Sequence, residues 1–220
     1  MADVTHPPIR SFGRIKSRTI KPAQGALFET LLPSIALDLA QPAPGEGETW
    51  LEVGFGGGEH MAEQAARRPD VRILGAEPFL NGAASALRHI DERGLTNVRL
   101  HVGDARELIA ALPNARLTRV FVMFPDPWPK ARHRKRRLLQ PETVADLARV
   151  LKPGGAFRFA TDWGDYAERG LETLLADGRF AWTAERADDW RTPPSDHVTT
   201  RYEEKRLGDI APVWIDLVRS

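Results

Sequence analysis

Five carboxylates stand at the ends of apolar, strand-like runs: Glu52, Glu77, Asp104, Asp126 and Asp162. Singly each could be an ordinary helix cap or turn residue, because Asp is favoured at both places. Together they describe a site for a ligand that carries positive charge and several hydroxyl or amino donors. Beside Glu52 runs Gly54-Phe-Gly-Gly-Gly58, where clustered glycines allow a tight turn and let a ligand lie against bare backbone at a helix N-terminus. Counted from Gly54, the third glycine of a dinucleotide fingerprint falls on Glu59, and a carboxylate is a poor neighbour for pyrophosphate. Glu77 follows Gly58 by nineteen residues, the spacing from which a carboxylate accepts both hydroxyls of a ribose.

A second chemistry lies at Lys130-Ala-Arg-His-Arg-Lys-Arg-Arg137, where six Lys or Arg and one His fall within eight residues of a chain whose net charge is only +1. The run follows the Pro-stiffened turn Phe124-Pro-Asp-Pro-Trp-Pro129. Without acids of its own it repels itself unless a polyanion is near, so Arg132, His133, Arg134, Lys135, Arg136 and Arg137 read as an RNA phosphate footprint. The bland alternative is a solvated helix face.

The elements that must hold these groups follow from periodicity. Residues 1–22 read as a flexible basic arm and 23–220 as a single domain with a first helix over 23–40. Strand-like runs at 50–53, 71–76, 98–102, 119–124 and 156–160 alternate with helical runs near 59–67, 80–93, 141–151 and 164–177, the fourth strand being linked to the fifth through a Pro153-Gly-Gly turn. That rhythm predicts an α/β fold, a doubly wound and mostly parallel seven-stranded sheet with helices on both faces. Its last two strands, 180–183 and 213–218, form a hairpin-like pair joined by a Pro-rich loop without helix. Ligands of such sheets bind beyond the carboxyl ends of the strands. Trp163, Trp182, Trp190 and Trp214 read as packing residues.

Composition excludes other classes. There is no cysteine, and the six histidines never take paired metal-ligand spacing, so neither a disulfide framework nor a metal site is expected. No run of 18 apolar residues suggests a membrane span, and Pro7, Pro8, Arg10 and Arg14 occupy the place of a signal's apolar stretch, so the expected location is cytoplasmic. A nicotinamide oxidoreductase on the same fold is disfavoured by Glu59 and by the lack of a hydride-handling Tyr-x-x-x-Lys or His-acid pair. A non-catalytic RNA-binding module would not need acids at every strand end. Oligomeric state is left open.

The acid-x-Gly-x-Gly at Glu52, Gly54 and Gly56, the acid Glu77 and Asp104 resemble class I methyltransferases that use S-adenosylmethionine. Phe124-Pro-Asp-Pro-Trp-Pro-Lys130, Arg132-His-x-Lys-Arg-Arg137, Thr161-Asp-Trp163 and Thr200-Arg-Tyr-Glu203 narrow the likeness to the bacterial tRNA (guanine-N7)-methyltransferase family, over about residues 10–219. The resemblance implies methyl transfer from S-adenosylmethionine to N7 of a guanosine in tRNA, at position 46 of the variable loop. By the same resemblance Glu52, Gly54, Gly56, Glu77, Asp104 and Asp126 bind the cofactor. Lys130, Asp162, Thr200, Arg201, Tyr202 and Glu203 then face the guanosine, and residues 132–137 contact RNA. Guanine N7 carries a lone pair and no proton, so alignment and preorganised charge should carry the rate, with Asp126 the catalytic candidate. Asp162 or Glu203 could take the base's N1–H and amino donors, and Tyr202 or Trp128 could stack on it.

Overall fold

The computed structural model describes residues 12, 13, 15–17, 19–43 and 45–220. Strand β1 (Thr49–Val53) is buried along its whole length, as a strand covered on both faces must be. It is flanked by β2 (Arg72–Ala76) and β4 (Leu117–Met123), and the sheet runs β3-β2-β1-β4-β5-β7-β6. Here β3 is Val98–His101, β5 Leu151–Thr161, β6 Phe180–Trp182 and β7 Val213–Arg219. Pairing is parallel from β3 to β5, and antiparallel from β5 to β7 and from β7 to β6. Strand order reverses between β1 and β4, which opens the crevice where a doubly wound sheet takes its ligand.

Alternation along the strands sends Leu51, Val53, Leu74 and Val120 into one core with Leu108, Leu147, Tyr166 and Leu174. These come from α5 (Ala105–Ala111), α6 (Pro141–Val150) and α7 (Gly164–Ala176). Trp50, Ile73 and Phe121 face the other way, onto Met61, Ala65, Leu87 and Ile90 of α3 (Glu59–Arg67) and α4 (Leu80–Glu92).

Several expectations need correction. The helix expected over 23–40 is two pieces, α1 (Pro22–Thr30) and α2 (Leu32–Ile35). Beyond them Ala36 pairs with Leu100 and the Leu37 amide donates to the Leu100 carbonyl, so this segment shields the edge of β3. Helix α5 escaped the periodicity because seven residues span only two turns. Pro153-Gly-Gly is not a turn before a strand but an irregularity inside β5, between the pairs Leu117–Leu151 and Arg119–Ala156. The last two strands do pair antiparallel, yet β7 lies between β5 and β6, and their connection holds α8 (Asp188–Arg191) and α9 (Arg201–Glu204). Four-residue helices are too short to leave a pattern. Of the expected arm, residues 1–11, 14 and 18 lie outside the described residues. Ile15 and Ser17 meet the start of α4: Leu80 donates its amide to the Ile15 carbonyl (2.8 Å), and the Ser17 amide to Asn81 Oδ1 (3.0 Å).

Candidate active site

The glycine turn between β1 and α3 places Gly54, Gly56 and Gly58 at positive φ, a conformation that side chains resist. Helix α4 presses directly on this turn, since a Cβ at Gly82 would overlap the Gly56 carbonyl. Glu77, at the end of β2, completes the cradle. Its Oε2 accepts from the Gly56 amide and its Oε1 from the Phe79 amide, both at 2.9 Å. Burial nonetheless pushes the Glu77 carboxyl above the usual range, and the charge of Asp126 adds to the effect.

Asp126 is carried by a strained turn. Phe124 and Trp128 both have positive φ, 50° and 42°, a costly state for bulky residues and one that clusters at functional sites. The turn is tied at Phe124, whose amide donates to the Ala160 carbonyl (2.8 Å), and at Pro127, whose carbonyl accepts from Arg137 Nε (2.7 Å). Asp126 is open to solvent on one side, but its recessed surroundings desolvate it and raise its carboxyl. The Phe12–Gly13 segment passes over it, with a Cβ at Gly13 falling 3.7 Å from Asp126 Oδ2.

Across from this turn, Tyr202 of α9 donates its hydroxyl to Asp162 Oδ1 (3.2 Å), and its ring lies 5.6 Å from that of Phe124. Burial pushes the Tyr202 hydroxyl up to about 12. The structure therefore brings Asp162, which is buried, and Tyr202 next to the turn that bears the exposed Asp126. Lys130 is exposed, next to the 3-10 turn Ala131–Arg136.

Other residues take different places. The Glu52 carboxylate points toward α3 and meets His60 Nδ1 at 2.6 Å. Asp104 caps α5 by accepting from the Arg106 amide, and it also pairs with the Arg106 guanidinium (2.7 Å). Thr200 and Glu203 form a capping box that starts α9, and Glu203 Oε1 also pairs with His197 Nε2 (2.9 Å). Arg201 reaches back to Glu59 (3.2 Å). Trp163 packs partly buried against the core and Trp214 is buried.

The basic run divides. Arg137 is 5% exposed, lies over the Tyr166 ring and pairs with Asp165 (2.7 Å), so it is an internal tie rather than part of an RNA-facing surface. Arg134 shares the same carboxylate (2.8 Å). Arg136 stacks on both Phe12 and Trp128, while Arg132 and Lys135 are exposed. Asp165, 28 residues beyond Arg137, thus supplies the acid that the run itself lacks; nothing local in the sequence signals that pairing. Among the described residues, no group of three or more His, Asp or Glu could hold a metal ion, and no helix is long and apolar enough to cross a membrane.

Comparison with known proteins agrees with this architecture. The family model described as "Putative methyltransferase" matches residues 46–214. An rRNA methylase from Streptococcus thermophilus has the same fold (TM-score 0.54, 13% identity, 92% of this chain and 97% of that one). So does a precorrin-6y C5,15-methyltransferase from Geobacter metallireducens (TM-score 0.55, 17% identity, 93% and 92%). The tRNA (guanine-N7)-methyltransferase of Caulobacter sp. strain K31 is 61% identical over 97% of this chain and 96% of its own length. That of Hyphomonas neptunium is 53% identical over 94% and 98%. With near-complete coverage at such identity, the chain belongs to the tRNA (guanine-N7)-methyltransferase family.

Proposed function

We propose that this protein transfers a methyl group from S-adenosylmethionine to N7 of guanosine 46 in the variable loop of tRNA, acting on its substrate in the cytoplasm. The observation that carries the reading is the meeting of Asp162 and Tyr202 beside Phe124 of the turn that bears Asp126, on the sheet whose neighbouring strands end in Glu77 and the glycine turn. The crevice suits the cofactor: three glycines at positive φ leave bare backbone, and Glu77 is a buried acceptor aligned by two amides. Glu77 would hold the ribose hydroxyls, and Asp104 the adenine amino group. Glu52, committed to His60, would act on the cofactor's ammonium end through the electrostatic field rather than by direct contact.

When bound, S-adenosylmethionine supplies an electrophilic methyl whose bonding pair stays on sulfur. The guanine N7 lone pair forms the new bond, no proton is removed, and the purine becomes cationic. Asp126 helps only if it interacts with that developing charge more strongly than with the ground state. Asp162 and Glu203 are the candidates to read guanine N1–H and the amino group; Asp162 is buried with Oδ1 accepting from Tyr202, and the Glu203 oxygens are engaged by Thr200 and His197. Tyr202, backed by Phe124, stacks on the base better than Trp128, which is flanked by Phe12, His133 and Arg136. Lys130 lies toward the guanosine, and Arg132, Lys135 and Arg136 track phosphates. The target base must be unpaired, since an A-form helix hides N7 in a deep, narrow groove.

Incubating unmodified tRNA with methyl-labelled S-adenosylmethionine and the protein should yield labelled 7-methylguanosine on nucleoside mass spectrometry. Label in any other nucleoside, or none, would overturn the reading.

A further inference from the structure

The long connection between β6 and β7 crosses one face of the sheet, and it is held there at Asp196. Asp196 Oδ2 pairs with Arg119 of β4 (2.7 Å), and Oδ1 with Arg158 of β5 (2.5 Å). Its backbone carbonyl accepts from Gln64 Nε2 of α3 (2.8 Å). Arg158 is 6% exposed and is held from the far side by Asp216 (2.6 Å). Two arginines and two aspartates thus form a neutral cluster where apolar side chains would ordinarily stabilise a sheet face as well or better. Such a cluster fixes position: two cationic groups on neighbouring strands accept a carboxylate at one place only. Burial opposes ionisation of Asp196, but the Arg158 and Arg119 guanidiniums outweigh it and hold the carboxyl below its usual range.

The residues that follow carry this placement to the site. His197 packs edge-on against Trp214 (5.0 Å) and pairs with Glu203, which caps the helix bearing Tyr202. In the other direction, Gln64 also meets His60 Nε2 (3.3 Å), and His60 meets Glu52 at the end of β1. A continuous set of polar contacts therefore joins the glycine-turn side to the segment 197–204.

We propose that Asp196 is a positioning residue for substrate: clamped by Arg119, Arg158 and Gln64, it fixes where residues 197–204 leave the sheet and so holds Tyr202 against Phe124 and Asp162. This rests on the reading that Tyr202 and Asp162 face the guanosine. The test uses the full chain, with Asp196→Asn and Gln64→Leu each made alone and in a Tyr202→Ala background. Steady-state kinetics with tRNA and calorimetric titration of S-adenosylmethionine are measured for each. Asp196→Asn should lower kcat/KM for tRNA about 10- to 100-fold, the penalty of a group displaced far from the chemistry. Gln64→Leu, which leaves no charge stranded, should move it the same way by less, and it carries the test if Asp196→Asn does not fold. Cofactor affinity should stay within about twofold, and either change should add no more than about twofold in the Tyr202→Ala background, because both act through that ring. Additive losses, or an equal loss of cofactor affinity, would make Asp196 a general structural residue and overturn the proposal alone. A fully active Tyr202→Ala would overturn the base-facing reading and this proposal together.

Discussion

The two halves of the crevice are built by different means. On the β1–β3 side, carboxylates are set by nearby backbone: Glu77 by the Gly56 and Phe79 amides, Asp104 by the Arg106 amide. On the β4–β7 side, loops are set by guanidiniums: Arg137 holds Pro127 and Asp165, and Arg119 and Arg158 reach across the fold to Asp196. The first half is stiff by secondary structure. The second stores strain at Phe124 and Trp128 and depends on ion pairs to keep it. A cofactor pocket common to a fold can be built locally, whereas a surface fitted to one RNA is assembled from distant side chains.

That contrast can be broken by substitution, and the largest effect belongs to the strained turn. Asp126→Asn preserves shape, so single-turnover methyl transfer should fall about 100-fold or more while the fold and most tRNA affinity hold, as when preorganised electrostatic stabilisation is removed. A rate within threefold of the parent would leave Asp126 a turn residue. Next comes Arg137→Met, which strands the Pro127 carbonyl and removes one partner of Asp165. It should cost on the order of 2 kcal/mol in urea unfolding and slow turnover, with the salt dependence of tRNA binding unchanged. A flattened salt dependence would return Arg137 to the RNA surface.

On the stiff side, Glu77→Gln should weaken cofactor binding by about 1 to 3 kcal/mol by calorimetry. Because burial raises the Glu77 carboxyl in the folded chain, the folded state holds its proton more tightly than the unfolded chain. The stability this gives is full below the unfolded value and is lost as pH rises through the raised one. Ribose hydroxyls favour the ionised form, so cofactor affinity should fall as pH drops through that same raised value, and Glu77→Gln should remove the dependence. An unaltered pH profile in the variant would take Glu77 out of the ribose site. The smallest effect is expected from replacing Arg132, Lys135 and Arg136 with Ala. The slope of log tRNA affinity against log salt should flatten by roughly 0.7 to 0.9 for each phosphate no longer neutralised, and an unchanged slope would mean that RNA binds elsewhere.

The same contrast explains what the sequence revealed. Strand, turn and acid lie close together in the first half, so Gly54, Gly56 and Glu77 could be placed by spacing, and the mostly parallel sheet followed from the alternation of strands with helices. The basic run was visible as charge, but its division was not. Arg137 turns inward to an acid 28 residues away, and no local rule distinguishes it from Arg132. Asp196 was invisible for the same reason, since its partners lie 38 and 77 residues distant. The capping box at Thr200 and Glu203 left no trace in the sequence beyond the Thr-x-x-Glu spacing itself.

The central claim is that alkylation falls on guanine N7 of an exposed loop base. An N7-alkylated, cationic guanine is reduced by borohydride and then yields strand scission with aniline, whereas unmodified guanosine does not. End-labelled, unmodified tRNA treated in that way after reaction with the protein and S-adenosylmethionine should break at a single guanosine in the variable loop, and not without the cofactor. Methyl incorporation without scission, or scission within a paired stem, would contradict the account.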